Sequence, residues 1–327
     1  MLKLGICTAV QDTPLRRLWR RGLVAATILP TQESSAQADF HRFERVVSHL
    51  RLSNGTVMTT LSKRLVAVDE RVAGALRTIF PRSTHLLVED WAVSTGITAL
   101  EWFRSLLGLY PNLRFAASDW ILYLIEVRRE QKHYAFIVEP SGNPIQYIRD
   151  PFVVSLTGQQ HLLYFINRIV QRRALREWEN LAKHIHFPVD WAARGEPQSK
   201  LLPPFSLRRI PVLHPRVLNQ RNEQFTVKQH SVFSRLAQPV HVIRTMNILN
   251  HSYFSQSRLQ SAADTVRHSL VPDGIWVVGR TVKDKPPEHE VSVLQNGSDG
   301  WKPILRIGNG SEIESTIGCN DKEVLNV

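Results

Sequence analysis

Residues 86 to 102, LLVEDWAVSTGITALEW, limit what this chain can fold into more than any other stretch. Leu86, Leu87 and Val88 form a short apolar run that stops at two acids, Glu89 and Asp90. A run of this kind, followed by small residues, is the pattern of a strand buried in a parallel sheet and entering a loop. Ala92, Ser94 and Gly96 then place small residues at alternate positions. From Ile97 to Leu109 the apolar residues Ala99, Leu100, Phe103, Leu106 and Leu107 recur at helical spacing, and Pro111 and Asn112 stop the helix. Leu113 to Ala117 reads as the next strand and ends in Ser118 and Asp119. The order is strand, loop, helix, turn, strand.

That order carries chemistry. A strand ending in an acid, a small-residue loop and a helix N-terminus together hold a polar, nucleotide-like ligand at the carboxyl edge of a sheet. Small side chains let the backbone approach the ligand, and the first helical turn offers free amide donors. Asp119 lies 23 residues after Gly96 at the end of the second strand. In an open parallel sheet its carboxylate falls beside the first loop, where it can accept both hydroxyl hydrogens of a ribose.

A second block of the same texture begins at FTVKQHSVF, residues 225 to 233, and continues through PVHVIRTMNIL and a helical stretch from Ser257 to Leu270. It ends in LVPDGIWVVGRT, where Pro272, Asp273 and Gly274 stop the helix and feed a buried strand. After a polar loop around Pro286 and Pro287, two strand-like runs flank the turn Asn296 to Gly300 as a closing hairpin. The chain is thus predicted to hold a doubly wound α/β domain over residues 81–127 and 222–327, with a mostly parallel sheet, helices on both faces and an antiparallel C-terminal hairpin. Residues 1–80 read as a mostly helical segment, with a basic stretch from Leu15 to Leu23, a polar loop from Thr31 to Ala38 and helical runs at Phe40 to Leu52 and Val68 to Ile79. Residues 128–221, rich in proline and arginine and helical near Leu162 to Leu181, read as an insertion or cap.

Charge and cysteine use narrow the setting. The 327 residues carry 41 Lys and Arg against 29 Asp and Glu, a net +12, which favours polyanionic partners such as nucleic acid, anionic lipid or acidic substrates. Arg128 to Arg235 alone holds 17 basic and 8 acidic residues, most of that excess. Cys7 and Cys319 cannot build a disulfide framework, and a reducing, cytoplasmic setting is expected. Arg16, Arg17, Arg20 and Arg21 interrupt any apolar run near the start, so no secretory signal is expected. The most apolar window, Phe152 to Val170, is broken by five polar residues, too many for a membrane span. His184 and His186 have no acid or cysteine to complete a ligand set, so no metal site is expected.

Four segments now bear a family resemblance. DWAVSTG resembles the first motif of class I S-adenosyl-L-methionine-dependent methyltransferases, an acid and three alternating glycines, with Ala92 and Ser94 in the first two glycine places and Gly96 in the third. RFAASD is similar to the second motif, VIRTMNIL to the fourth strand with its active-site exit, and LVPDGIWVVGRT to the late Pro, Gly, Gly motif before the fifth strand. The closing pair VSVLQNGSDGWKPILRI resembles the antiparallel end of that sheet.

The resemblance implies S-adenosyl-L-methionine as cofactor and methyl transfer as reaction. It implies that Asp90 helps place the methionine part or a water near it, Ala92, Ser94 and Gly96 line the cofactor, Asp119 holds the ribose and Trp120 flanks adenine. His230 and Ser231 fall in the region that contacts the adenine edge. Asn247, Asn250, His251 and Tyr253, after the fourth strand, face the methyl group, with His251 the candidate base. The acceptor implied is a small molecule or a lipid-linked compound.

Other readings compete at the same residues. The loop can be an ordinary strand-to-helix turn and Asp119 a helix N-cap. The stripe Arg168, Arg172, Arg173 and Arg176 is the outer face of an amphipathic helix or a peripheral membrane or partner contact. Replacement of two motif glycines fits a non-catalytic, methyltransferase-like scaffold. A nucleic-acid methyltransferase fits the charge but lacks interleaved aromatic and basic residues. A nicotinamide oxidoreductase would need G-x-G-x-x-G after the first strand, and that string is missing there.

Overall fold

The computed structural model describes residues 5–6, 25–29, 40–48, 50–58, 60–149, 152–157, 165–187, 199–220, 222–284, 286–319 and 325–326. In chain order the elements are β1 (Gly5–Ile6), α1 (Phe40–Val47), α2 (Val66–Ile79), β2 (Leu87–Trp91), α3 (Ile97–Leu107), β3 (Arg114–Asp119), β4 (Tyr123–Arg129), β5 (Tyr134–Val138), β6 (Pro144–Arg149) and β7 (Phe152–Ser155). They continue with α4 (Phe165–Ala182), β8 (Ser199–Leu202), β9 (Phe205–Pro211), α5 (Pro215–Gln220), β10 (Phe225–Gln229), β11 (Val240–Met246), α6 (Gln256–Ser269), β12 (Leu270–Asp284), β13 (Pro287–Gly297), β14 (Gly300–Ile307), α7 (Glu314–Ile317) and β15 (Leu325–Asn326). The basic stretch at Leu15 to Leu23 and the polar loop at Thr31 to Ala38 lie outside the described residues.

The chain divides into two compact units, residues 1–59 with 121–219 and residues 60–120 with 220–327. The partition differs from the sequence reading in two ways. The stretch after α1 is split, α2 going with residues 220–327, and the N-terminal part joins the insertion in one unit. The first unit has 22 Lys and Arg against 12 Asp and Glu, so it carries +10 of the net +12.

The second unit is an eight-stranded sheet in the order β10-β3-β2-β11-β12-β13-β14-β15. β10, β3, β2, β11 and β12 run parallel to one another, and β13 is antiparallel to both neighbours. Counting the unit's own strands from β2, the order is 3-2-1-4-5 and then a meander, the doubly wound arrangement whose direction reverses between β2 and β11. Ligands bind such sheets in the crevice beyond the carboxyl ends of the strands at that reversal.

Side chains explain the two layers on this sheet. On one face Trp102 and Phe103 of α3 pack on Phe115 of β3 and Phe225 of β10. On the other, Leu259, Ala262, Ala263 and Val266 of α6 share a core with Trp91, Ile243, Trp276 and Val278. The expected loop at Pro286 and Pro287 is instead the turn of a long hairpin, because β12 runs on to Asp284 and β13 starts at Pro287. Its strands are held by the pair Lys283–Glu288 and by backbone register back to Ile275↔Gln295.

The first unit is a seven-stranded sheet, β1-β7-β6-β5-β4-β9-β8, with antiparallel pairing throughout. Alternate residues of each strand enter opposite cores. Leu124, Ile137, Ile145 and Ile210 pack against Phe43, Val46 and Val47 of α1. Tyr123, Ile125, Val127, Tyr134, Phe136 and Leu207 pack against Ala174, Trp178 and Leu181 of α4. Because both faces are covered, β4 and β5 are buried along nearly their whole length. Among the described residues no helix is long and apolar enough to cross a membrane.

Candidate functional site

The loop from β2 to α3 has the backbone that the sequence spacing called for. Ala92, Ser94 and Gly96 all lie in the left-handed region, with φ of 58°, 56° and 75°. Non-glycine residues pay about 1–2 kcal/mol for that conformation, so two such residues in one loop record a fixed backbone requirement. Val93 and Thr95 between them are buried, whereas Ala92 and Ser94 are half-buried. The loop is held by three amides. Val93 N–H donates to the Ser118 carbonyl (3.1 Å), Ser94 N–H to Asp119 Oδ2 (2.7 Å) and Gly96 N–H to the Val93 carbonyl (2.9 Å).

Asp119 therefore sits beside the loop as expected, with one carboxylate oxygen engaged by the Ser94 amide. The β10 exit joins the same edge. His230 N–H donates to the Asp119 carbonyl (3.1 Å), and Gln229 Nε2 donates to the Trp120 carbonyl (3.0 Å). The Trp120 side chain is 61% exposed. The His230 ring lies on Trp91, with centroids 4.7 Å apart, and Ser231 Oγ accepts the Phe233 amide in the turn that follows. Burial lowers the His230 pKa, and the positive charge of Lys228 adds to that, so the ring is neutral near pH 7.

Three polar atoms at this edge are enclosed without a hydrogen-bond partner: Ser94 Oγ, Thr95 Oγ1 and His230 Nε2. Buried polar groups are nearly always paired, so three orphans around one loop mark a place where a polar ligand or water completes the bonding. Hydroxyls, a neutral imidazole and the Asp119 carboxylate match the donors and acceptors of a ribose and a purine edge. The residues fit the nucleoside half of S-adenosyl-L-methionine.

The methionine half is a different matter, because Asp90 is committed elsewhere. Its side chain is buried and both oxygens accept from Arg244, through Nε (3.0 Å) and NH2. Arg244 also donates through NH1 to Asp69 Oδ1 (2.6 Å) and through NH2 to the Thr98 carbonyl (3.3 Å), and its guanidinium lies 4.1 Å from the Trp102 ring centroid. Neither Arg244 nor Asp69 was singled out from the sequence. The available signal was a charged residue between Ile243 and Thr245 in an otherwise apolar strand, which demands buried counter-charges.

The ion cluster has a pH signature. Burial, opposed by Arg244 but reinforced by the charges of Asp90 and Glu101, pushes Asp69 from 3.8 up to about 7. The folded protein thus keeps a proton that the unfolded chain has already lost, so this contribution to stability is full below the unfolded value and fades as pH rises through about 7. Asp90 and Glu89 are also raised by burial and act in the same direction. Urea midpoints measured at about pH 5 and about pH 8 are expected to drop with pH in the wild type and to drop less in Asp69→Asn. An identical drop in the variant would remove Asp69 as the source.

Asn247, His251 and Tyr253 stand at the β11 exit. Asn247 is left-handed (φ 62°), donates its amide to the Gly279 carbonyl (2.8 Å) and accepts the Thr281 amide on Oδ1 (2.7 Å), which ties the ends of β11 and β12 together. His251 is exposed; its amide donates to Glu312 Oε1 (2.8 Å) and its Nε2 lies 3.4 Å from Thr316 Oγ1. Glu312 in turn pairs with Arg280. Tyr253 is 46% exposed. The loop, Asp119 and His230 are gathered at the ends of β2, β3 and β10. Among the described residues no group of three or more His, Cys, Asp and Glu side chains could hold a metal ion.

No family model matches the sequence, and no curated protein matches it. Solved structures to which the chain is similar include several methyltransferases. The citrinin polyketide synthase CMeT domain shares 9% identity over 67% of this chain and 36% of its own, with a TM-score of 0.29. A putative sarcosine dimethylglycine methyltransferase from Galdieria sulphuraria shares 11% identity over 66% of this chain and 47% of its own, also at 0.29. The glycopeptide N-methyltransferase MtfA, complexed with S-adenosyl-L-homocysteine, shares 10% identity over 65% and 49%, at 0.26. This chain thus spans less than half the length of each.

Proposed function

We propose that the second unit binds S-adenosyl-L-methionine at the carboxyl edge of β2, β3 and β10 and transfers its methyl group to a small-molecule or lipid-linked acceptor. The observation that carries this reading is the alternation of left-handed backbone at Ala92, Ser94 and Gly96, at the point where strand order reverses and beside the Asp119 carboxylate. When bound, the cofactor supplies an electrophilic methyl on a sulfonium. Asp119 accepts ribose hydroxyls while it holds the loop through the Ser94 amide. Ser94 Oγ, Thr95 Oγ1 and the neutral His230 ring gain the partners they lack, and Trp120 covers one purine face. Displacement at the methyl needs an aligned acceptor more than a dedicated acid or base. Where the acceptor arrives protonated, His251 on the β11 exit is the group to take its proton, with Asn247 and Tyr253 beside it in sequence. A nucleic-acid acceptor is the weaker alternative, and α4 with its arginines is the surface for any peripheral membrane contact.

A second reading is favoured by the Asp90–Arg244 pair: a scaffold that keeps the fold and has turned its motif acid into a core ion pair. Calorimetric titration with S-adenosyl-L-methionine and S-adenosyl-L-homocysteine separates the two. Micromolar binding is expected, weakened by about tenfold or more in Asp119→Ala and in Gly96→Trp, with thermal unfolding as the check on folding. Ala92→Gly is expected to retain it, since the change removes no polar atom and relieves about 1–2 kcal/mol of left-handed strain against about 0.4–1 kcal/mol of added chain entropy. Absence of binding at millimolar cofactor would leave the scaffold.

A further inference from the structure

The crevice where strand order reverses differs on its two sides. Glu89 and Asp90 end β2 and point to opposite faces of the sheet, as consecutive strand residues do. Asp90 is bonded through both oxygens to Arg244, which also holds Asp69. Glu89 accepts from Lys228 Nζ through Oε1 (2.6 Å) and from Trp91 Nε1 through Oε2 (3.3 Å). On β11, the neighbour across the reversal, Thr245 Oγ1 accepts the Trp276 indole N–H (2.9 Å) and Asn247 Oδ1 accepts the Thr281 amide (2.7 Å). Glu89, Asp90, Arg244, Thr245 and Asn247 are thus each bonded within the fold.

Toward β3 the chemistry changes. The Asp119 carboxylate holds the loop through the Ser94 amide, and Ser94 Oγ and Thr95 Oγ1 are enclosed without a hydrogen-bond partner. Thr95 is 1% exposed, so bulk water does not serve its hydroxyl. Hydroxyls and a carboxylate suit the hydroxyls and ring nitrogens of a nucleoside. The amino-acid tail of S-adenosyl-L-methionine asks for something else, since its ammonium needs an anionic acceptor to replace the water it gives up. Asp90 cannot turn to it without stranding a buried guanidinium, a loss larger than one ammonium contact returns. Burial raises Asp69 to about 7 against the pull of Arg244. At that pH the cluster therefore carries less than the one net negative charge that would draw an ammonium from a distance.

Given a cofactor at this edge, we infer that the site recognises the nucleoside and leaves the amino-acid tail unread, so that it takes 5′-thioadenosines as a class, with or without that tail. Asp90 and Arg244 serve the fold on one face of the sheet, and Glu89 and Lys228 serve it on the other. The contacts that remain for a ligand gather at Asp119, Ser94 and Thr95. A tailless thioadenosine such as 5′-methylthioadenosine then competes with the cofactor on nearly equal terms, and occupancy of the site follows the sum of the thioadenosines present.

The test is calorimetric titration of the full chain, at about pH 7, with S-adenosyl-L-homocysteine and with 5′-methylthioadenosine. Dissociation constants within about fivefold of each other are expected. A carboxylate held on the ammonium would instead set S-adenosyl-L-homocysteine ahead by about tenfold or more, through charge-assisted hydrogen bonds. Asp119→Ala, with thermal unfolding as the check on folding, is expected to weaken both ligands by the same factor. Binding of S-adenosyl-L-homocysteine with a preference above about fivefold overturns the inference and leaves the cofactor reading standing. A loss in Asp119→Ala confined to S-adenosyl-L-homocysteine overturns it too, because that would put the carboxylate at the tail. If neither ligand binds at millimolar concentration, the cofactor reading fails and takes the inference with it.

Discussion

Arg244→Met should be among the most damaging substitutions in this chain, lowering stability by about 3–5 kcal/mol, the usual loss when one partner of a buried ion pair is removed. The guanidinium is 1% exposed and serves two carboxylates, one backbone carbonyl and the face of an indole. Its removal strands Asp69 and Asp90 in the core with no cation to share. Arg244→Lys should rescue little, since an ammonium cannot span both Asp90 oxygens and Asp69 or stack on Trp102. Combining Arg244→Met with Asp69→Asn and Asp90→Asn should recover much of the loss, because the cost lies in the unpaired charges more than in the missing bonds. Urea unfolding of the set measures this. A loss below about 1 kcal/mol for Arg244→Met would mean that the cluster is open to water.

Gly279→Val should come next, with a loss of about 3 kcal/mol. A Cβ at Gly279 would stand 2.2 Å from the Glu290 carbonyl oxygen and 2.6 Å from Val291 Cα, both backbone atoms of β13. Neither can move without parting the hairpin that closes the sheet. The Gly279 carbonyl also receives the Asn247 amide, so the β11 exit would shift with it. Thermal unfolding gives the magnitude, and amide exchange should show the loss of protection concentrated in β13 and at Asn247 and Thr281. Full protection in β13 would show that the strands tolerate the methyl groups.

Both variants touch residues inside the family-like motifs, and both are explained by packing. The late motif's other glycine is similar: a Cβ at Gly274 would meet the Val271 carbonyl at 2.8 Å. The motif acid Asp90 serves the core. Within these segments, the loop at Ala92 to Gly96 keeps its left-handed alternation and is tied to Asp119 through the Ser94 amide.

Much of the second unit was legible because its signals are local. β2, α3, β3, β11 and α6 announce themselves through apolar runs, helical spacing and the stops at Pro111 and Asn112, and their observed limits fall within a few residues of the reading. Asp119 and the loop follow from spacing alone once the sheet is parallel. The sheet of the first unit was not legible. β4 and β5 are apolar on both sides, so YLIEVRR and YAFIV lack the alternation that marks a strand. Their pairing partners are also distant, β4 with β9 some eighty residues on. Register shows the same limit, since Phe205, Arg129, Tyr134, Arg149 and Phe152, scattered over the chain, become neighbours only through the pairing of β9, β4, β5, β6 and β7.

The sequence by itself determined where strands end in acids, where small residues must turn the chain and which helices have an apolar stripe, because these depend on neighbours within a turn or two. Tertiary structure alone decided what surrounds each strand-end carboxylate. Asp90 and Asp119 look equivalent as strand-end acids. One is met by a buried arginine from β11 and a helix acid, and the other faces a loop with unpaired hydroxyls. That difference arises from strand order and side-chain burial, which set the partner and the dielectric around each charge.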